Sequence, residues 1–114
     1  MLKVLLLMMK SKIVLELNPT PGNARNSEGA FVTLNDGRLL FAWSKFLSDQ
    51  GGDHEPSVIA ARTSDDGGRT WNDDERIIAE PENGAHNLMR ASLLRLQNGC
   101  SLLLSVSKKN FPDG

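Results

Sequence analysis

The chain repeats itself at an offset of 62 residues, and an internal repeat restricts the architecture more than any single predicted element does. Leu34-Asn35-Asp36-Gly37 is followed by the apolar run Leu39-Leu40-Phe41-Ala42-Trp43, and Leu96-Gln97-Asn98-Gly99 is followed by Leu102-Leu103-Leu104. Asp-Gly and Asn-Gly accept the positive φ that a type I′ turn requires, so each segment, flanked by strand-like residues, reads as a β-hairpin. The offset extends backwards. It sets Ala30-Phe31-Val32-Thr33-Leu34 against Ser92-Leu93-Leu94-Arg95-Leu96, and Arg25 against Asn87. Between the hairpins, residues 58–63 and 75–79 read as a third and a fourth strand.

Four strands before a new first strand are the signature of a propeller blade, an antiparallel sheet packed face to face with its neighbours. The predicted fold class is therefore all-β, part of a β-propeller, with about one and a half four-stranded blades present. Residues 1–20 form an N-terminal segment, residues 21–85 the first blade, and residues 86–114 the first half of the next. A propeller closes with about four to eight blades, and half a blade leaves strand edges exposed. The expectation is that the chain is a truncated piece of a longer propeller, whose remaining blades are its partners.

Composition narrows the function classes. Thirteen Lys and Arg against fourteen Asp and Glu give a net charge of -1, which leaves no electrostatic footprint for nucleic acid or an anionic membrane. The opening MLKVLLLMMKSK has a six-residue apolar run, shorter than a usual signal-peptide core and without a small-residue cleavage site. No stretch reaches the roughly 18 apolar residues that span a bilayer, so a soluble chain without membrane insertion is expected. The single cysteine, Cys100, lies in an apolar run and reads as a small core or strand residue. His54 and His86 stand far apart, with no further ligands at metal spacing, so neither a metal nor a cofactor is expected. Asp65-Asp66 and Asp73-Asp74 lack EF-hand spacing. Neither a phosphate-binding glycine loop nor a Gly-x-Ser-x-Gly elbow occurs.

Between the third and fourth strands stands Ser64-Asp65-Asp66-Gly67-Gly68-Arg69-Thr70-Trp71, which fits S-x-D-x-G-x-T-W at every specified position. Each residue suits a tight turn. The Asp66 carboxylate accepts backbone N–H groups, Gly68 takes positive φ, and Trp71 covers the sheet beneath. With Ser64 and Thr70 these are structural residues. The segment resembles the Asp-box, or BNR repeat, of the sialidase (neuraminidase) superfamily, whose catalytic domain is a six-bladed β-propeller.

That resemblance implies site residues elsewhere. In the family, an arginine just before the first strand clamps the substrate carboxylate, and Arg25 in Asn23-Ala24-Arg25-Asn26-Ser27-Glu28-Gly29 occupies that place. A guanidinium is suited to it, being a planar fork that binds carboxylate through two parallel hydrogen bonds. The aromatic-Arg-Ile-Pro setting usual in the family is absent, which implies a divergent branch. A surface arginine in a loop is the bland alternative. The family's acid/base aspartate lies on the loop after the second strand; Asp53, in Asp53-His54-Glu55, is the first choice and Asp49 the second, against the alternative of solvated carboxylates. Lys45 stands near a position where the family often has an arginine.

Rotational repetition of blades places Arg25 and Asn87 at equivalent points near one axis. Asn87, with Met89 close by, is thus a candidate substrate contact, with capping of the strand entry as the equal alternative. The implied function is exo-hydrolysis of terminal, acidic sugars from glycans, with a sialic-acid-like substrate. Sialidases use a tyrosine nucleophile, and this chain has no tyrosine. The nucleophile is therefore expected in later blades, and the 114 residues alone are expected to be inactive. The competing readings are a noncatalytic Asp-box propeller that binds glycan or protein, and a complete small β-domain.

Overall fold

The computed structural model describes residues 13–82, 85–97 and 101–109, with the backbone alone at 85, 86, 90 and 101–109. Cys100, the Asn98-Gly99 turn and the opening apolar run lie outside the described residues. Six strands are present: β1 (Arg25–Thr33), β2 (Leu39–Phe46), β3 (Ser57–Ser64), β4 (Arg76–Ala79), β5 (Ala85–Arg95) and β6 (Ser101–Lys109). The described residues contain no helix, and so none long and apolar enough to cross a membrane. The strands form two antiparallel sheets, β1-β2-β3-β4 and β5-β6. The all-β class and the four-stranded sheet followed by a new hairpin agree with the sequence pattern.

The 62-residue repeat holds pair by pair. Arg25 faces Phe46, and Asn87 faces Lys108; Ser27 faces Ser44, and Met89 faces Val106; Thr33 faces Leu39, and Arg95 faces Ser101. Even the irregularity repeats. The register shifts between Ser27 and Ala30 in β1 and between Met89 and Ser92 in β5, again 62 positions apart. In each, two residues of the first strand oppose one of the second, the count that defines a β-bulge. In β1 the bulge is made by Glu28, in the left-handed region at φ 57°, and by Gly29. Gly29 is required there because the Phe41 ring lies where a Cβ would stand.

The bulge also explains a correction. Arg25 was expected just before the first strand, in a loop, but it is the first residue of β1, paired with Phe46. Alternation of side chains breaks at Glu28 and Gly29, so the strand's first half is invisible to a period-two reading. The first hairpin differs from expectation as well. Gly37 has φ 89° while Asn35 and Asp36 keep negative φ, Gly37 N–H donates to the Leu34 carbonyl at 3.0 Å, and Leu34 N–H donates to the Arg38 carbonyl at 2.7 Å. This is a type I turn with a glycine bulge rather than a type I′ turn. The Asp36 carboxylate accepts the Arg38 backbone N–H at 3.1 Å and its Nε–H at 2.7 Å, which favours the longer loop.

The two sheets pack face to face. Ala42 from β2 and Ile59 and Ala61 from β3 meet Leu88 and Ala91 from β5, with Leu40, Ala79 and Leu93 at the margin. Three alanines in this layer let the backbones approach closely, and Ile59, fully buried, contributes about 1.5–3 kcal/mol of hydrophobic burial. Ser57 ties the sheets at one end, its hydroxyl donating to the Leu88 carbonyl at 2.7 Å and accepting the Leu88 N–H at 3.0 Å.

The opposite face of the first sheet is aromatic. Phe41 contacts Phe31 at 5.7 Å, Trp43 at 5.8 Å and Trp71 at 6.2 Å between ring centroids. Trp43 Nε1–H donates to Asn26 Oδ1, and Asn26 Nδ2–H donates to the Leu17 carbonyl, fastening the entering segment across this face. Between that segment and the rings lies a cleft of about 550 Å³.

Candidate functional site

The site sits where β1 begins, β2 ends and β3 starts. Arg25 faces Phe46, and Phe46 faces Ser57. The loop joining β2 to β3, residues 47–56, is closed by the Leu47 N–H to Pro56 carbonyl bond at 2.8 Å. It folds over the entry of β1, where Ala24 N–H donates to the Ser48 carbonyl.

Arg25 is the centre of the arrangement. Its guanidinium lies 4.6 Å from the Phe46 ring centroid, a cation–π seat on a buried phenyl face. Nε–H donates to Ser27 Oγ at 3.1 Å. Nη1 donates to the Gly51 carbonyl at 3.3 Å and to Asp53 Oδ1 at 2.5 Å. Nη2 takes no part in these bonds, and 28% of the side chain is exposed. The fork is held by ring, hydroxyl, carbonyl and the Asp53 carboxylate, and its remaining donor edge has the planar geometry that suits a carboxylate.

The loop separates the two aspartates that the sequence left in competition. Asp53 pairs with Arg25 and is 57% exposed. Asp49 points away, its Oδ1 accepting the Gly22 N–H at 2.7 Å, where Gly22 turns at φ 79°. Asp49 thus caps a turn, while Asp53 forms a partly exposed ion pair with the arginine. Lys45 does not join them. It follows Ser44 and precedes Phe46, so it emerges on the opposite face of β2, where its ammonium meets Glu75, a carboxylate that also lies 3.8 Å from Arg62.

Asn87 and Met89 lie beneath the surface. Asn87 has no exposed area, and Met89 is buried as well. The Asn87 amide donates from Nδ2 to the carbonyls of Asp53 at 2.7 Å and Glu55 at 3.1 Å. Two acceptors on one side fix which end of the amide is nitrogen. The Asn87 side chain thus holds the backbone of the loop that joins β2 to β3. The repeat offset between Arg25 and Asn87 carried that information, since it set both residues at equivalent strand entries.

The turn of residues 64–71 is elsewhere. Ser64 faces Leu39 at the far end of β2, about 23 Å from Phe46 at 3.3 Å per residue. Ser64 Oγ donates to Asp66 Oδ1 at 2.9 Å and accepts Gly68 N–H at 2.9 Å. Asp66 accepts the Thr70 N–H at 2.9 Å and the Thr70 hydroxyl at 2.5 Å. The Thr70 hydroxyl first, then its N–H, lower the Asp66 pKa to about 2. Gly67 and Gly68 turn at φ 75° and 92°, and Trp71 Nε1–H donates to the Gly68 carbonyl at 3.1 Å while its ring meets Phe41 edge-on. The side chains of Ser64, Asp66, Thr70 and Trp71 are all engaged in holding this turn. Among the described residues no cluster of three or more His, Cys, Asp or Glu is placed to hold a metal ion.

Fold and site together define an all-β protein with two repeated, face-packed sheets and an arginine–aspartate pair at a strand entry. The chain matches no protein-family model and no curated protein sequence.

Proposed function

We propose that this chain is part of a sialidase-type, Asp-box β-propeller that cleaves terminal acidic sugars from glycans. The observation that carries the reading is the Arg25–Asp53 pair, with its partly exposed guanidinium at the entry of the first strand. Support comes also from the repeat. The face with which β5 docks carries Leu88, Ala91 and Leu93, and the positions 62 residues earlier, Asn26, Gly29 and Phe31, line the open aromatic cleft. Another blade of the same kind packs there in a closed propeller.

In this reading Arg25 receives the sugar carboxylate on its fork, drawing Nη1 away from Asp53. Asp53, protonated from solvent once the sugar carboxylate has taken its place on Arg25, gives that proton to the leaving glycosidic oxygen and later takes one from the attacking water. The nucleophile comes from a blade beyond these 114 residues, because the chain has no tyrosine.

The test is hydrolysis of an aryl sialoside by the parent protein that carries these residues. Arg25→Lys is expected to raise KM at least about tenfold, because the flat two-point fork is lost. Asp53→Asn is expected to lower kcat by about 10²-fold or more. An intact, folded parent that binds the sugar without turnover points to the noncatalytic glycan-binding propeller. One that neither binds nor cleaves it overturns the proposal.

A further inference from the structure

The loop of residues 47–56 is gripped from two sheets by two residues that occupy the same place in the repeat. From β1, Arg25 takes the Gly51 carbonyl and the Asp53 carboxylate. From β5, Asn87 takes the Asp53 and Glu55 carbonyls. The two hold equivalent register positions in their sheets, paired with Phe46 and Lys108 respectively. The exposed side of Asp53 thus meets the arginine, while its backbone is bonded to a side chain with no exposed area at all.

We propose that Asn87 is the positioning residue of this site: it sets the Asp53 backbone from the second sheet, so that docking of the second sheet on the first fixes where the Asp53 carboxylate stands relative to Arg25. Both hydrogens of the Asn87 amide are used on the loop. Ser57 makes the neighbouring link between sheets, but to the Leu88 backbone only, so holding the sheets and holding the loop are separate tasks of adjacent residues. A short side chain grips better than a long one here. Its two-bond reach leaves little freedom to transmit, whereas Arg25 acts through a long, flexible stem.

The consequence for a sugar ligand rests on the function proposed above; the hold on the loop does not. The experiment therefore has two readouts on the full chain. Amide hydrogen exchange is measured across residues 48–56 and across β2 and β3 in the wild type, Asn87→Asp, Asn87→Leu and Ser57→Ala. Both Asn87 variants remove the two donors, and Asn87→Leu retains the volume without adding charge. Loss of two neutral hydrogen bonds is expected to speed exchange of the loop by about tenfold or more, with β2 and β3 little changed and Ser57→Ala leaving the loop protected.

Unchanged loop exchange in both Asn87 variants overturns the proposal, as does acceleration spread equally over loop, β2 and β3. The second readout is affinity for N-acetylneuraminic acid, followed by chemical-shift titration. Asn87→Leu is expected to weaken it severalfold although residue 87 has no exposed area, while Ser57→Ala retains it. A wild-type chain that ignores the sugar removes the functional reading and leaves the exchange result to decide the positioning role.

Discussion

Asp66 shows how much a single carboxylate can order. Three donors from Ser64 and Thr70 converge on it in an otherwise exposed turn. The Thr70 hydroxyl, then the Thr70 N–H, hold its pKa at about 2, below the ordinary 3.8. A carboxylate with a depressed folded pKa stabilises the fold fully above its unfolded pKa, and that contribution disappears as pH falls through the folded value. The window is therefore about pH 4 down to pH 2. Melting temperature measured across that window should fall more steeply for the wild type than for Asp66→Asn. Equal slopes would show that the turn does not depend on the charge. The residues of this turn were legible because the interactions are local: donors and acceptor lie within seven positions, and composition alone orders them. The pairing of Arg25 with Asp53 spans 28 positions and had no such local sign. Its members entered through a resemblance, and the choice of Asp53 over Asp49 stood in the sequence only as a preference; the geometry separated them by giving Asp49 to Gly22.

At the scale of elements, the repeated bulge is the most telling feature. Both sheets shift register at the same position, but they fill the space differently: Gly29 lies under Phe41 in the first, whereas the second has Ala91 and Leu103 at those two positions. Gly29→Ala should therefore destabilise the first sheet by about 1–3 kcal/mol through overpacking against the ring. Combining it with Phe41→Leu should recover part of that loss, since the pair then copies the second repeat. Urea unfolding of the two single variants and the double variant gives the coupling; strict additivity would mean that the ring and the glycine are not in contact in solution. The strands themselves were visible as apolar runs with turn signals between them. Their full length was not, because a bulge reverses which side chains face inward and so breaks the alternation on which the reading depends. The type of the first turn was misjudged for a related reason. Asp-Gly is compatible with two hairpin loops, and the bonds from Arg38 to Asp36 decide between them.

At the scale of the molecule, two sheets hold together through a thin layer of small side chains. Ile59 is the largest wholly buried residue of that layer. Ile59→Ala should cost about 2–5 kcal/mol, and Ala61→Leu about 1–3 kcal/mol because the alanine-lined approach has no room for a larger group. Thermal unfolding followed at Trp43 would report both, since Trp43 lies on the other face of the same sheet. A change below about 0.5 kcal/mol in both would mean that the sheets are not docked as described.

What the sequence by itself determined is the part governed by short-range order and periodicity. The 62-residue repeat, the strand sequence, the all-β class and the Ser64–Trp71 turn all rest on residues close in the chain or on a pattern that recurs along it. Only the tertiary structure decided which residues meet. The face-to-face docking puts Asn87 under the loop that carries Asp53, and a loop closed between β2 and β3 brings Asp53 to Arg25. Those contacts join groups 28 to 34 positions apart, and their choice depends on packing of alanine-lined sheets and on where buried carbonyls find donors. Neither quantity leaves a trace in local sequence, because each is fixed by the partner surface rather than by the residue itself.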